Sequence, residues 1–181
     1  KVFGFEWDGP TRWQSQRELK YQEAIASLRE RGLAYPCRCS RRRIEKTAQA
    51  GAEGMIYPGT CRGWDGMGAK QASIRMRTTS TQTSVPDRIV DRISQNLEDD
   101  IGDFVIFRAD GVAAYQLAVV VDDFLDNITH VVRGADLELS TPRQVNLQRQ
   151  LGYPTPQYAR PLKYRPAPWL EEMHPACPHR R

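Results

Sequence analysis

Apolar residues recur at helical spacing early in the chain: Leu19, Tyr21, Ala24, Ile25 and Leu28 predict one buried helical face. Ser15 followed by Glu18 has the form of a capping box at its start, and Gly32 is placed to end it. The preceding residues 1–14, rich in aromatics and glycine, read as the end of an element and a loop. Leu33-Ala34-Tyr35 leads into Cys37-Arg38-Cys39, and Ser40 can cap a short basic helix over 41–50. Residues 51–68 read as loop. Ile74 and Met76 alternate with Arg75 and Arg77, the period of a half-buried strand. Residues 87–94 and 103–108 read as strands, the second followed by the turn signal Asp110-Gly111. Residues 112–121 are ambiguous, since Val119-Val120-Val121 favour a strand while Ala113, Ala114, Leu117 and Ala118 favour a helix. A strand follows over 128–133. Ser140 or Thr141 is placed to cap a last helix, with Pro142 in its first turn and Leu151-Gly152 at its end. Beyond Tyr153 the chain is proline-rich and without period. Strands alternating with helices predict an α/β architecture.

Composition adds bounds. The 181 residues suit one domain or most of one, and 40% hydrophobic content suffices for a core. No run of about 18 apolar residues could span a membrane. The chain starts with neither Met nor a secretory signal, so a cytoplasmic protein is expected. Net charge is +4, with 21 Arg against 5 Lys. That mild excess fits an RNA partner, and a GC-rich genome accounts for it equally well.

Three clusters carry candidate chemistry. Cys37-x-Cys39 and Cys61 supply three thiolates, and a structural zinc wants four ligands in a tetrahedron. Tyr57, Cys177 and His179 are candidates for the fourth. A thiolate or imidazole is the better ligand by chemistry, because a phenol titrates near 10, although a bound dication lowers that value. The competing reading is three reduced structural cysteines. Asp122-Asp123-x-x-Asp126 has the form that holds Mg²⁺ through diphosphate in prenyl diphosphate synthases. A single copy in a chain with strands argues against that use, and Asp122 and Asp123 are expected to accept backbone N–H bonds at the turn after a helix. The run Arg41-Arg42-Arg43 could touch RNA phosphate, but a solvated face is the simpler account.

The run from Phe107 to Gly111, then Tyr115 through Asp122-Asp123, then Ile128 through Arg133-Gly134-Ala135-Asp136, resembles the heart of the glutamate-activating class I aminoacyl-tRNA synthetases. The likeness extends over roughly 1–162 and is strongest to the glutamyl-Q tRNA(Asp) synthetase branch. It implies a helix over 112–121 and a partial Rossmann-type catalytic domain with a zinc-binding insertion at about 37–61. It implies Tyr115 and Arg133 as glutamate-binding residues, with Asp136 near the adenylate. The same resemblance implies Tyr57, in Tyr57-x3-Cys61, as the fourth ligand to a structural zinc beside Cys37, Cys39 and Cys61. It further implies ATP with magnesium as co-substrate, and glutamate and tRNA(Asp) as partners of a monomer that glutamylates queuosine.

The H-x-G-H-like and K-x-S-K motifs of that family do not occur in these residues. A fragment is therefore expected, with 163–181 an irregular, non-native or truncated tail, no catalytic residue of its own and no pyrophosphate exchange. Two alternatives stand beside this one. An ordinary glutamyl-tRNA synthetase is opposed by Trp13-Gln14-Ser15-Gln16-Arg17 and by the Tyr57/Cys61 pair. A non-catalytic, zinc-stabilised RNA-binding paralogue would not need a working Tyr115/Arg133 pair.

Overall fold

The computed structural model describes residues 4, 6, 9–51, 54–68 and 71–160. The expected tail 163–181, with Cys177 and His179, lies outside the described residues, as does most of the opening segment 1–8.

Helix α1 spans Glu18–Glu30 and buries Tyr21, Ala24, Ile25 and Leu28. Leu19 is 78% exposed, contrary to expectation. It lies two residues before Tyr21, about 200° around the helix from the buried stripe. The expected capping box is also absent. Gln14–Gln16 form a 3₁₀ turn, Arg17 occupies the cap position, and no side chain caps the helix. At the far end Gly32 adopts φ +69°. Gly32 N–H donates to Arg29 O and Leu33 N–H to Leu28 O, the paired bonds that close a helix through a left-handed residue.

Strand β1 (Ala34–Cys37) pairs antiparallel with β4 (Ser73–Met76), which pairs antiparallel with β7 (Val105–Phe107). Between β1 and β4 lies a separate small module. Helix α2 (Arg41–Thr47) is capped by Ser40, whose side chain accepts from Arg43 N–H. The helix expected over 41–50 ends at Thr47, and a hairpin, β2 (Gln49–Gly51) with β3 (Gly54–Ile56), takes the end of that stretch and the start of the expected loop. The half-buried reading of β4 also fails at Arg75, which is 8% exposed. Ile74 and Met76 join the main core, while Arg75 lies under the small module, so both faces of the sheet are covered.

Strands β5 (Gln82–Asp87) and β6 (Asp91–Asn96) form a hairpin, and helix α3 (Leu97–Asp100) follows. Residues 87–94, expected as one strand, hold the turn of that hairpin. Asp87 Oδ1 accepts from Ile89 and Val90 N–H and so builds the turn from a side chain. The ambiguous segment 112–121 is helical only from Tyr115, Ala113 forming a bridge with Phe107: α4 spans Tyr115–Leu125 and buries Leu117, Ala118, Val120 and Val121.

Strand β8 (His130–Val132), helix α5 (Ser140–Leu151) and β9 (Gln157–Ala159) make a strand–helix–strand unit, with β8 and β9 parallel. The second sheet has the order β6-β5-β9-β8. Leu139, not Ser140 or Thr141, holds the cap position of α5, and no side chain caps it. Gly152 ends it at φ +72°. The main core lies between α1, α4 and α5 and the β1-β4-β7 sheet, with Leu28, Met76, Ile106, Leu117 and Leu147 at its centre. No helix among the described residues is long and apolar enough to cross a membrane.

Candidate functional site

The three cysteines predicted from spacing do converge. Cys37, at the end of β1, Cys39 and Cys61 place their sulfurs within 4.8 Å of one another. Cys39 Sγ and Cys61 Sγ are 3.5 Å apart. Tyr57 Oη lies 3.3 Å from Cys37 Sγ and 3.5 Å from Cys39 Sγ, and it accepts from Cys61 N–H at 3.0 Å. A tetrahedral zinc with Zn–S of about 2.3 Å and Zn–O of about 2.0 Å requires S···S near 3.8 Å and S···O near 3.5 Å. The donor set fits such an ion with little rearrangement and leaves no evident open position.

The backbone around Tyr57 is set by a close approach. Tyr57 bridges to Gly102 and donates its N–H to Ile101 O. Gly102 has φ +72°, and a Cβ there would fall 2.5 Å from Tyr57 O. Only glycine allows this packing.

The electrostatics of the cluster are mixed. Burial pushes the Cys37 thiol up, but the Tyr57 hydroxyl, the Cys39 backbone N–H and Arg75 more than offset it and bring it down to about 7. Burial holds the Cys39 thiol and the Tyr57 phenol above their ordinary values. A bound dication reverses that tendency for its own ligands.

The Arg133 side chain, predicted to bind glutamate, is held mainly by α5. Arg133 follows β8 at its carboxyl end, the end of a parallel unit where ligands of open α/β sheets bind. Its Nη1 donates to Gln144 Oε1 and its Nη2 to Thr141 Oγ1, each at 2.7 Å. The guanidinium carbon lies 5.4 Å from the Tyr158 ring centroid. Thr141, Gln144 and Tyr158 are buried. Arg133 Nε and Gln144 Nε2 have no hydrogen-bond partner among the described residues.

Tyr115 is the first residue of α4 and is 48% exposed. Its neighbour Gln116 donates to Ser140 Oγ, so the heads of α4 and α5 are tied together beside Arg133. Asp136 is exposed in the short 3₁₀ turn Ala135–Leu137. The hydroxyls of Ser140 and Thr141, expected as caps, instead serve these tertiary bonds.

Sequence reasoning missed Thr141, Gln144 and Tyr158 as partners of Arg133. It also missed Arg160, buried after β9, whose Nε contacts Asp87 Oδ2 at 3.0 Å and whose Nη1 contacts Glu138 at 2.8 Å. The available signal was the spacing of Thr141, Gln144 and Gln148, one face of a helix rich in buried polar groups. A cavity of about 320 Å³ lined by Asp123, Phe124, Ile128 and Gln148 lies at the opposite, amino-terminal end of β8, away from Tyr115 and Arg133.

Asp122 and Asp123 were expected to accept backbone N–H bonds after the helix, but the bonds of Asp122 come from side chains. Asp122 accepts from Arg17 Nη1 and Tyr21 Oη, both at 2.9 Å, and from Gln14. Asp126 accepts from Arg17 Nη2 at 2.6 Å and from Arg12. These oxygens hold the loop before α1 against the end of α4, which commits two of the three carboxylates that the diphosphate-binding reading needs. Asp123, half-buried, has its carboxyl pushed up by burial.

The parallel unit β8-α5-β9, with an arginine held at its carboxyl end, and a thiolate-rich module inserted between β1 and β4 are the parts of an α/β fold that carry candidate chemistry. Residues 1–165 match the family described as tRNA synthetases class I (E and Q), catalytic domain, and the chain belongs to that family. It is 50% identical over 162 residues to a glutamyl-Q tRNA(Asp) synthetase of Neisseria meningitidis serogroup C, covering 88% of this chain and 55% of that protein. It is 51% identical over 169 residues to a protein of the same name from Dechloromonas aromatica, covering 92% and 56%. The chain thus spans about half the length of these relatives, which carry the names of aminoacyl-tRNA synthetase-type ligases. Among solved structures, a glutamate tRNA ligase from Elizabethkingia meningosepticum superimposes with a TM-score of 0.70 at 21% identity, over 85% of this chain and 34% of that one. At that identity the match speaks for the fold alone, and it bears out the expected class I synthetase-like α/β architecture.

Proposed function

We propose that these residues form part of an enzyme that activates glutamate with ATP and Mg²⁺ and transfers it to queuosine in the anticodon of tRNA(Asp). The observation that carries the glutamate reading is Arg133. Two of its N–H groups are committed to α5 at the carboxyl end of a parallel strand, which holds a planar fork ready for a carboxylate. In this reading Tyr115, exposed at the head of α4, adds a directional hydroxyl, and Asp136 lies near the adenylate. Cys37, Cys39, Tyr57 and Cys61 hold a structural zinc that shapes the insertion and takes no part in the reaction. The choice of tRNA(Asp) and queuosine is supported by the names of relatives at about half identity.

The test uses the whole protein that carries these residues. Labelled glutamate is offered with ATP and either tRNA(Asp) containing queuosine or the same tRNA with guanosine at the wobble position. Incorporation only into the first supports the proposal. Incorporation into both, at the 3′ end, would assign ordinary glutamyl-tRNA synthesis.

A further inference from the structure

Arg75 is a buried cation placed against two of the four zinc donors. Its Nε donates to Cys37 Sγ at 3.3 Å, and its guanidinium carbon lies 3.8 Å from the centroid of the Tyr57 ring. Its Nη1 donates to the backbone carbonyl of Asp103 at 2.6 Å. Three separate contacts therefore fix one planar group, and the residue is only 8% exposed. A surface arginine beside a strand needs none of them.

The chemistry of the donor set gives this cation a purpose. Three thiolates and a phenolate outweigh the charge of a zinc ion and leave the loaded site with a net double negative charge. Buried charge of that kind is costly unless a counter-charge is held nearby. A guanidinium suits the position better than an ammonium, because its flat face stacks on the ring while its edge reaches the sulfur and the carbonyl. Partners outside the ligand set typically set ligand orientation and affinity, at a cost of about 10–100-fold when removed.

We infer that Arg75 is a positioning residue of the zinc site. It orients the Cys37 thiolate and the Tyr57 ring for metal and offsets the charge of the loaded site, so that a phenolate can complete a three-cysteine site. The inference rests on the proposed zinc site of Cys37, Cys39, Tyr57 and Cys61. It also assigns β4 a role in metal retention that its sequence does not suggest.

The experiment measures zinc affinity of the 181-residue chain by competition with a chromophoric chelator, for wild type, Arg75→Met, Arg75→Lys and Arg41→Met. Arg41, exposed on α2, controls for the loss of one positive charge from the module. Circular dichroism establishes that each variant folds. The expected result is about 10–100-fold weaker zinc binding in Arg75→Met, an intermediate loss in Arg75→Lys and none in Arg41→Met. Co²⁺ substitution should show a shifted thiolate charge-transfer band in the Arg75 variants alone. Wild-type affinity in Arg75→Met overturns the inference while leaving the site intact. Should that variant not fold, wild-type affinity and an unshifted band in Arg75→Lys overturn it equally. Absence of zinc binding in the wild type would remove the site itself, a distinct outcome.

Discussion

Arg62 and Asp103 form a two-point ion pair, Nε to Oδ2 at 2.7 Å and Nη2 to Oδ1 at 2.8 Å. Arg62 follows Cys61 of the cysteine cluster, and Asp103 precedes β7, so the pair bolts the small module to the main sheet. Asp103 is fully buried and also accepts from Tyr35 Oη, Thr78 N–H and Thr78 Oγ1. Asp103→Ala should destabilise the chain by roughly 3–5 kcal/mol in chemical denaturation, because several buried donors lose their acceptor at once.

The same carboxylate sets an acid transition. Burial pushes its pKa up, but Arg62, Tyr35 and the Thr78 N–H outweigh burial and hold it below the ordinary value. A depressed folded pKa contributes stability that is complete above the unfolded value of about 3.9 and is lost as pH falls through the folded one. Midpoints of urea unfolding should therefore decline below about pH 4 in the wild type. The part of that decline due to this group should be missing in Asp103→Asn, which is less stable at neutral pH.

Metal removal should act on the module first. Treatment with a strong chelator is expected to lower the melting temperature and expose the Tyr57 and Trp64 side of the cluster, with a change in tryptophan fluorescence. Cys61→Ser should lower zinc content in the same way. Absence of bound zinc in the untreated protein would assign the cysteines to simple packing.

The clamp between the loop before α1 and the end of α4 should be measurable as a coupling. Arg17 and Asp122 are each mostly buried, with side-chain exposures of 14% and 17%. A double-mutant cycle of Arg17→Ala and Asp122→Ala should return a coupling of about 1–3 kcal/mol. A value near zero would make the pair an incidental surface contact.

Much of this architecture was legible where local chemistry and tertiary packing agree. The stripe of Tyr21, Ala24, Ile25 and Leu28, the cap at Ser40 and the glycines at 32 and 152 all stand as their spacing predicts. The cysteine cluster was legible because sulfur ligands are few and their spacing is short. Polar side chains recruited over long separations were not legible. Ser15 looks like a cap, but neighbouring Gln14 and Arg17 are drawn to Asp122 on α4. Arg75 alternates like a solvent-facing residue until the small module covers it. The hairpin turn at 88–90 carries no glycine or proline, because Asp87 supplies the bonds that a turn residue would. Thr141 and Gln144 could be assigned to Arg133 only once β8 and α5 were placed side by side.

The most direct test concerns Arg133. Glutamate-dependent exchange of pyrophosphate into ATP should be measured in the whole protein that carries these residues, for wild type and Arg133→Ala, with zinc content determined in parallel. Loss of exchange with zinc content and melting temperature unchanged is the predicted result. Exchange that persists in Arg133→Ala, at an unaltered KM for glutamate, would contradict the assignment of this site.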